Sequence, residues 1–273
     1  MQTRCLRRIA SLFLLASCAP KHLEPEHVAH SVANEPAKLA YSIDAFVGNW
    51  KIEAHFKARP NSPNFDLTGE LVVRFAKVGP DVLDVYVERL SFHGTADTKS
   101  VEVTMAASDP KFAALMETPV HRIVMRANGP GEATPNLDNP IARQGANLIK
   151  STVFLIPPLP DVHVTNGAKW AANRVVPKSN NAGPEVEVEV HYELVGLERC
   201  GKAQCAVLAS TADTGEREAQ FGGAAARVRY TLEGTSQIQL NGALVKSETK
   251  MTMLLESEAV TFDADGTFTC RRI

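Results

Sequence analysis

The chain has 273 residues, 29 lysines and arginines against 31 acids, a formal charge of −2, and 44% hydrophobic residues. With no clustering of basic side chains it carries no electrostatic footprint for nucleic acid. At this length a chain buries roughly 70 to 75% of its unfolded surface, so it needs no covalent staples to fold.

Residues 1–17 open with Arg4, Arg7 and Arg8 and continue into an apolar run at 9–16, which is too short to span a bilayer and is flanked as a cleaved secretion signal. The run ends in Leu15-Ala16-Ser17-Cys18, a lipobox. This segment resembles the signals of the bacterial lipoprotein class. The resemblance implies a diacylglycerol on the Cys18 thiol, cleavage just before that residue and acylation of the new amino terminus. Several acyl chains of the palmitate kind, at about 0.8 kcal/mol per buried methylene, would make membrane attachment practically permanent. Ala19, where aspartate would favour retention at the inner membrane, implies the outer membrane, with the protein facing the periplasm.

From 18 to 39 the composition is that of a disordered tether, with Pro20, Pro25, Pro36, charges and no sustained apolar period. His22, His27 and His30 fall in it; on so flexible a segment they read as solvated spacer, and no metal or other cofactor is expected.

Beyond the tether, residues 40–273 are expected to form a β-rich periplasmic domain. The dominant period is two: Val186, Val188, Val190, Tyr192 and Leu194 alternate with Glu185, Glu187, Glu189, His191 and Glu193, an amphipathic strand. Similar alternation runs through 50–56, 67–75, 83–87, 101–105, 228–232 and 251–255. Further short strands fit at 120–127, 204–211, 236–241, 259–262 and 267–271. Gly79-Pro80-Asp81, Asn241-Gly242 and Asp263-Ala264-Asp265-Gly266 read as turns between neighbours. The fold class is therefore mainly β, of α+β type: a large curved antiparallel sheet or half-barrel of about ten to twelve strands with one or two packing helices. One helix is expected from Asp109-Pro110 to Met116. A second runs from Asp138 or Asn139 through Pro140, Ile141, Leu148 and Ile149 toward Phe154, ending at Pro157-Pro158-Leu159-Pro160. That proline stretch separates two halves, about 40–135 and 155–273, each with a tryptophan near its start; one continuous sheet and two domains fit equally well.

Cys200 and Cys205 flank a stretch of hairpin length in an oxidising compartment, so they can pair across it. Cys270 is left over, as a free thiol or a competitor for either. The spacing is too wide for a redox pair, and no second pair supports zinc.

Leu159-Pro160-Asp161, Val164, Gly167-x-x-Trp170, Tyr192-Glu193-Leu194-x-Gly196-Leu197-Glu198, Cys205-Ala206-Val207-Leu208 and Leu240-Asn241-Gly242-x-Leu244-Val245-x-Ser247 together resemble a family of uncharacterised bacterial secreted lipoproteins. The architecture is also similar to half-barrel carriers of the LolA and LolB type, which implies a curved sheet sheltering acyl chains.

No catalytic residue is assigned: the chain has no Gly-x-Ser-x-Gly elbow, His-Glu-x-x-His, phosphate loop or dinucleotide turn. His55, His93, His121, His163 and His191 are scattered singly, mostly at positions that face solvent. The expected role is a non-catalytic binding module for a lipid or other apolar small molecule, with Met251, Met253, Leu254 and Leu255 on its apolar side and a mobile proline hinge under its helix. The alternatives are a structural protein docking another envelope protein through the Glu185–Glu193 face, and a hydrolase with an unrecognised site.

Overall fold

A computed structural model describes residues 36–60, 62–97, 99–139, 142, 155–176, 186–221, 224–258 and 261–273. The signal, the lipobox and most of the expected tether and second helix lie outside them. The strands are β1 (Ala37–Lys38), β2 (Gly48–Ala58), β3 (Phe65–Lys77), β4 (Val82–Ala96), β5 (Lys99–Ala106), β6 (His121–Arg126), β7 (Gly129–Pro135), β8 (His163–Val164), β9 (Lys169–Val176), β10 (Val186–Cys200), β11 (Ala203–Asp213), β12 (Arg217–Phe221), β13 (Ala224–Gln239), β14 (Leu244–Ser257) and β15 (Thr261–Arg272). Among the described residues two short helices accompany them, α1 (Ile43–Phe46) and α2 (Pro110–Met116). The expected helix from Asp109-Pro110 to Met116 is α2. At the second site Asn139 Oδ1 accepts from the Ala142 amide at 3.4 Å, as an N-cap does.

Thirteen strands make one antiparallel sheet in the order β7-β6-β4-β3-β2-β15-β14-β13-β11-β10-β9, with β5 also on β4 and β12 also on β13. The two halves are thus two meanders of one sheet, joined where β2 pairs with β15. The edge strands β7 and β9 do not pair with each other among the described residues, so the sheet is not closed into a barrel.

Several sequence expectations are corrected. Asp263-Ala264-Asp265-Gly266 is not a turn; it lies inside β15, opposite β2 and β14. The glycine there makes room, since a Cβ on Gly266 would stand 3.3 Å from the Phe56 ring. The strands expected at 228–232 and 236–241 are one, β13, because Gly234 continues the ladder. The tether does not reach residue 39: Ala37 and Lys38 pair with Val164 and His163, and Leu39 is 3% exposed. Strands β1, β7, β8, β9 and β12 are not among those expected from the sequence. By contrast Asn241-Gly242 is the β13–β14 turn, with Gly242 at φ +91°, a left-handed backbone that a β-carbon disfavours.

Cys200 and Cys205 are bonded across the β10–β11 hairpin, and Cys270 is a buried free thiol on β15, away from them in the ladder. Closing so short a loop stabilises by about 2 kcal/mol on the chain-entropy model. The double variant Cys200→Ala, Cys205→Ala is expected to lose about that much in a urea titration, with an unchanged slope; a loss several times larger would show that the bridge does more than fasten one turn.

Candidate functional site: the covered inner face

Because side chains alternate across a strand, paired residues on neighbouring strands form rows across one face of the sheet. On the inner face one row reads Leu194, Leu208, Ser236, Ser247, Cys270, Ile52, Leu71 from β10 to β3. The next reads Tyr192, Ser210, Gly234, Thr249, Phe268, Ala54, Gly69. A third contains Ala212, Leu232, Met251, Gly266, Phe56 and Leu67. Each of the first two rows is bulky at its β10 end and small on β13 and β14, which leaves a trough in an otherwise apolar surface. Met251, Met253 and Leu255 do line the buried side, whereas Leu254, one residue out of phase, belongs to the other face.

A sheet with one apolar face must have it covered. No second sheet does so among the described residues. The chain leaves the sheet at one edge, β7, and re-enters at the other, β9, and the connection buries Ala142, Leu155, Ile156, Pro157 and Leu159 in the core. Leu155 and Pro157 sit over the trough, enclosing with Val190, Tyr192, Ser210, Leu232, Ser236, Ser247 and Thr249 a residual cavity of about 20 Å³. That is room for about one water molecule.

The proline stretch is a pinned strap, not a mobile hinge. Three side chains donate to three successive carbonyls: Arg174 Nη2 to Ile156 at 3.4 Å, Tyr41 Oη to Pro157 at 2.8 Å, and Trp170 Nε1 to Pro158 at 2.9 Å. The Leu159 amide adds a bond to Asn128 O at 2.8 Å. Proline amides cannot donate, so this segment is held through its carbonyls by partners that sequence reading had no means to select. Both edge regions meet it, since Gly129 of β7 lies against Pro158 and Trp170 of β9 bonds to it. The strap therefore bridges the gap between the sheet's edges. Trp170 also stacks on Tyr192 with centroids 5.8 Å apart. Burial pushes the Tyr41 hydroxyl well above its ordinary range and that of Tyr192 up to about 12, with Arg174 drawing both back down.

The other candidates separate from this place. Glu187 and Glu189 face solvent, and Glu193 is neutralised in part by Lys169 at 3.2 Å; Glu185 lies outside the described residues. His55, 2.7 Å from Asp66, and His93, His163 and His191 are exposed. His121 is the correction: it is 0% exposed beneath the β4–β6 pairing. His22, His27 and His30 lie outside the described residues, among which no three His, Cys, Asp or Glu side chains gather as a metal site. No helix among the described residues is long and apolar enough to cross a membrane. A wider depression of about 610 Å³ opens beside β12, β13 and β14, but its walls carry Glu218, Arg227, Glu256 and Glu258, and Arg227 is paired to Glu256 at 2.8 Å.

No protein-family model matches the chain, and no curated protein matches it. Among solved structures it is similar to lipovitellin, in a structure described as lipid–protein interactions in lipovitellin, with a TM-score of 0.52 and 10% identity over 88% of this chain and 25% of that one. The chain spans about a quarter of lipovitellin's length. At this identity the likeness is one of fold alone.

Proposed function

We propose that this chain is a lipid-anchored envelope lipoprotein, held by an acylated Cys18 at the bacterial outer membrane and facing the periplasm, whose inner sheet face holds a lipid or other apolar molecule without catalysing a reaction. The observation that carries the reading is the cover. An inner face closed by a second sheet would be an ordinary core, whereas among the described residues this one is closed by the β7–β9 connection with residues 39–46 beside it, and the strap is pinned through a few hydrogen bonds, each contributing about 1 kcal/mol. Lifting Leu155, Ile156 and Leu159 costs about 2 kcal/mol for each side chain exposed, which an incoming acyl chain offsets by burying the same surface. The neighbour's described interactions with lipid and the expected similarity to LolA and LolB carriers support the same reading, and the lipobox supports the address.

Two measurements test it. Full chain purified from envelopes, extracted with solvent and weighed by mass spectrometry, is expected to carry a lipid at fixed stoichiometry and enriched over the bulk membrane; lipid of bulk composition at variable amount overturns the binding role. The amino-terminal peptide is expected to begin at Cys18 with its thiol acylated, and an intact peptide with Met1 and a free Cys18 overturns the anchor.

A further inference from the structure

We infer that the trough under the strap is a seat for the uncharged oxygen function of a single-chain neutral lipid, an ester or alcohol head, with the acyl chain lying along the apolar rows beside it. This rests on the reading of the inner face as lipid-holding and adds to it the chemical class of the ligand.

Four hydroxyls converge there from three adjacent strands: Ser210 on β11, Ser236 on β13, and Ser247 and Thr249 on β14. They stand in two successive rows, so all point to the same side. Ser236 and Ser247 satisfy each other, Oγ to Oγ at 2.9 Å. Thr249 is 7% exposed, and neither its hydroxyl nor that of Ser210 bonds to any side chain or carbonyl among the described residues. Ser210 is half-buried and Thr249 buried, so each gains a hydrogen bond from an oxygen that enters the cavity. Both line the cavity.

The two hydroxyls are brought this close by the backbone. Gly234 lies between Ser210 and Thr249 in the row, and a Cβ on it would stand 2.6 Å from Ser210 Oγ and 2.7 Å from Thr249 Oγ1. An alanine there would push both hydroxyls out of place.

The head must be uncharged. Among the described residues that line the cavity none is ionised at neutral pH, so a phosphate, carboxylate or ammonium would be buried without a counter-charge. Arg174, the nearest cation by its influence on Tyr41 and Tyr192, is committed to the Ile156 carbonyl of the strap. A hydroxyl cluster can both donate and accept, which suits the carbonyl of an ester and the hydroxyl of a glyceride or fatty alcohol alike.

The test uses the full chain and two photoactivatable probes of equal chain length, a diazirine-bearing monoacylglycerol and a diazirine-bearing alkane, with labelling of β10 and β13 peptides read by mass spectrometry. In the unaltered chain both probes are expected to label saturably, the monoacylglycerol more tightly. Ser210→Ala with Thr249→Val is expected to weaken the monoacylglycerol about tenfold while leaving the alkane within about twofold, the loss appropriate to two neutral hydrogen bonds. Thr249→Ser retains the hydroxyl and is expected to retain the affinity. Gly234→Ala is expected to displace the monoacylglycerol more than the alkane. If the double variant weakens both probes alike, or neither, the seat is overturned while the lipid-holding reading stands; if the unaltered chain labels with neither probe, both fall.

Discussion

Raising the pH above about 9 is expected to unfold the protein progressively, through groups that the fold keeps protonated. Burial pushes Tyr192, Tyr230 and the Cys270 thiol each up to about 12, from ordinary values of 10.0, 10.0 and 9.0, and raises Tyr41 well above its ordinary value. A folded-state value above the unfolded one means that each group's contribution is fully present below its unfolded value. That contribution is lost as pH rises toward the folded value, because the unfolded chain releases the proton and the folded chain retains it. Each such group removes about 1.4 kcal/mol per pH unit in that window. Four together remove several kcal/mol by about pH 11, a large share of the 5 to 15 kcal/mol that holds a typical domain. Circular dichroism against pH checks this, and Tyr230→Phe, with one group fewer, is expected to move the midpoint upward. A protein still folded above about pH 12, with its tyrosines un-ionised by ultraviolet absorbance, would falsify the account.

Gly94→Ala is expected to be the most damaging small substitution in the sheet. Gly94 sits in β4 opposite Leu67 of β3 and Val101 of β5, with φ +146°, and a Cβ there would stand 2.1 Å from the Asp66 carbonyl oxygen and 2.9 Å from Leu67 Cα. Both neighbours are backbone, so no rotamer change relieves the overlap and β3 and β4 must part. The cost is expected to reach about 4 kcal/mol or more, with a fall in Tm of about 10 °C or more. Gly201→Ala is the control: φ is positive there too, at +65°, but nothing lies within 4 Å of the added carbon, so only the backbone preference is lost, about 1 kcal/mol. If the two variants melt together, steric overlap at Gly94 is not what sets its cost.

The central strands were legible in the sequence because their two faces differ. In β10 the alternation from Val186 to Leu194 is the burial pattern itself, and α2 announced its start with Asp109-Pro110. The edges were not legible. Strand β7, Gly129-Pro130-Gly131-Glu132-Ala133-Thr134-Pro135, reads as a turn, yet prolines are tolerated there because the outer side of an edge strand needs no donors. Strand β9, Lys169-Trp170-Ala171-Ala172-Asn173-Arg174, lacks contrast because an edge buries its alternate residues only in part. The candidate site was less readable still. Along β13 and β14, Gly234, Ser236, Ser247 and Thr249 look like solvent-facing residues, and only the cross-strand register assembles them under Leu155 and Pro157. His121 differs: it is in phase with the buried Ile123 and Met125 along β6, so the alternation that buries it is legible and only its polar ring argues for solvent.

The pairing of β2 with β15 bears on how the molecule reaches its native state. Thr269 and Glu53, 216 residues apart in sequence, lie side by side there. Each meander can zip up from local hairpins, but joining them requires closing a very long loop, an entropic cost that no local contact repays beforehand. The two half-sheets must therefore coexist for a time with unpaired edges and bare apolar surfaces, the condition in which β proteins aggregate. That interval is when the chain most needs protection from aggregation, and formation of the β2–β15 ladder ends it.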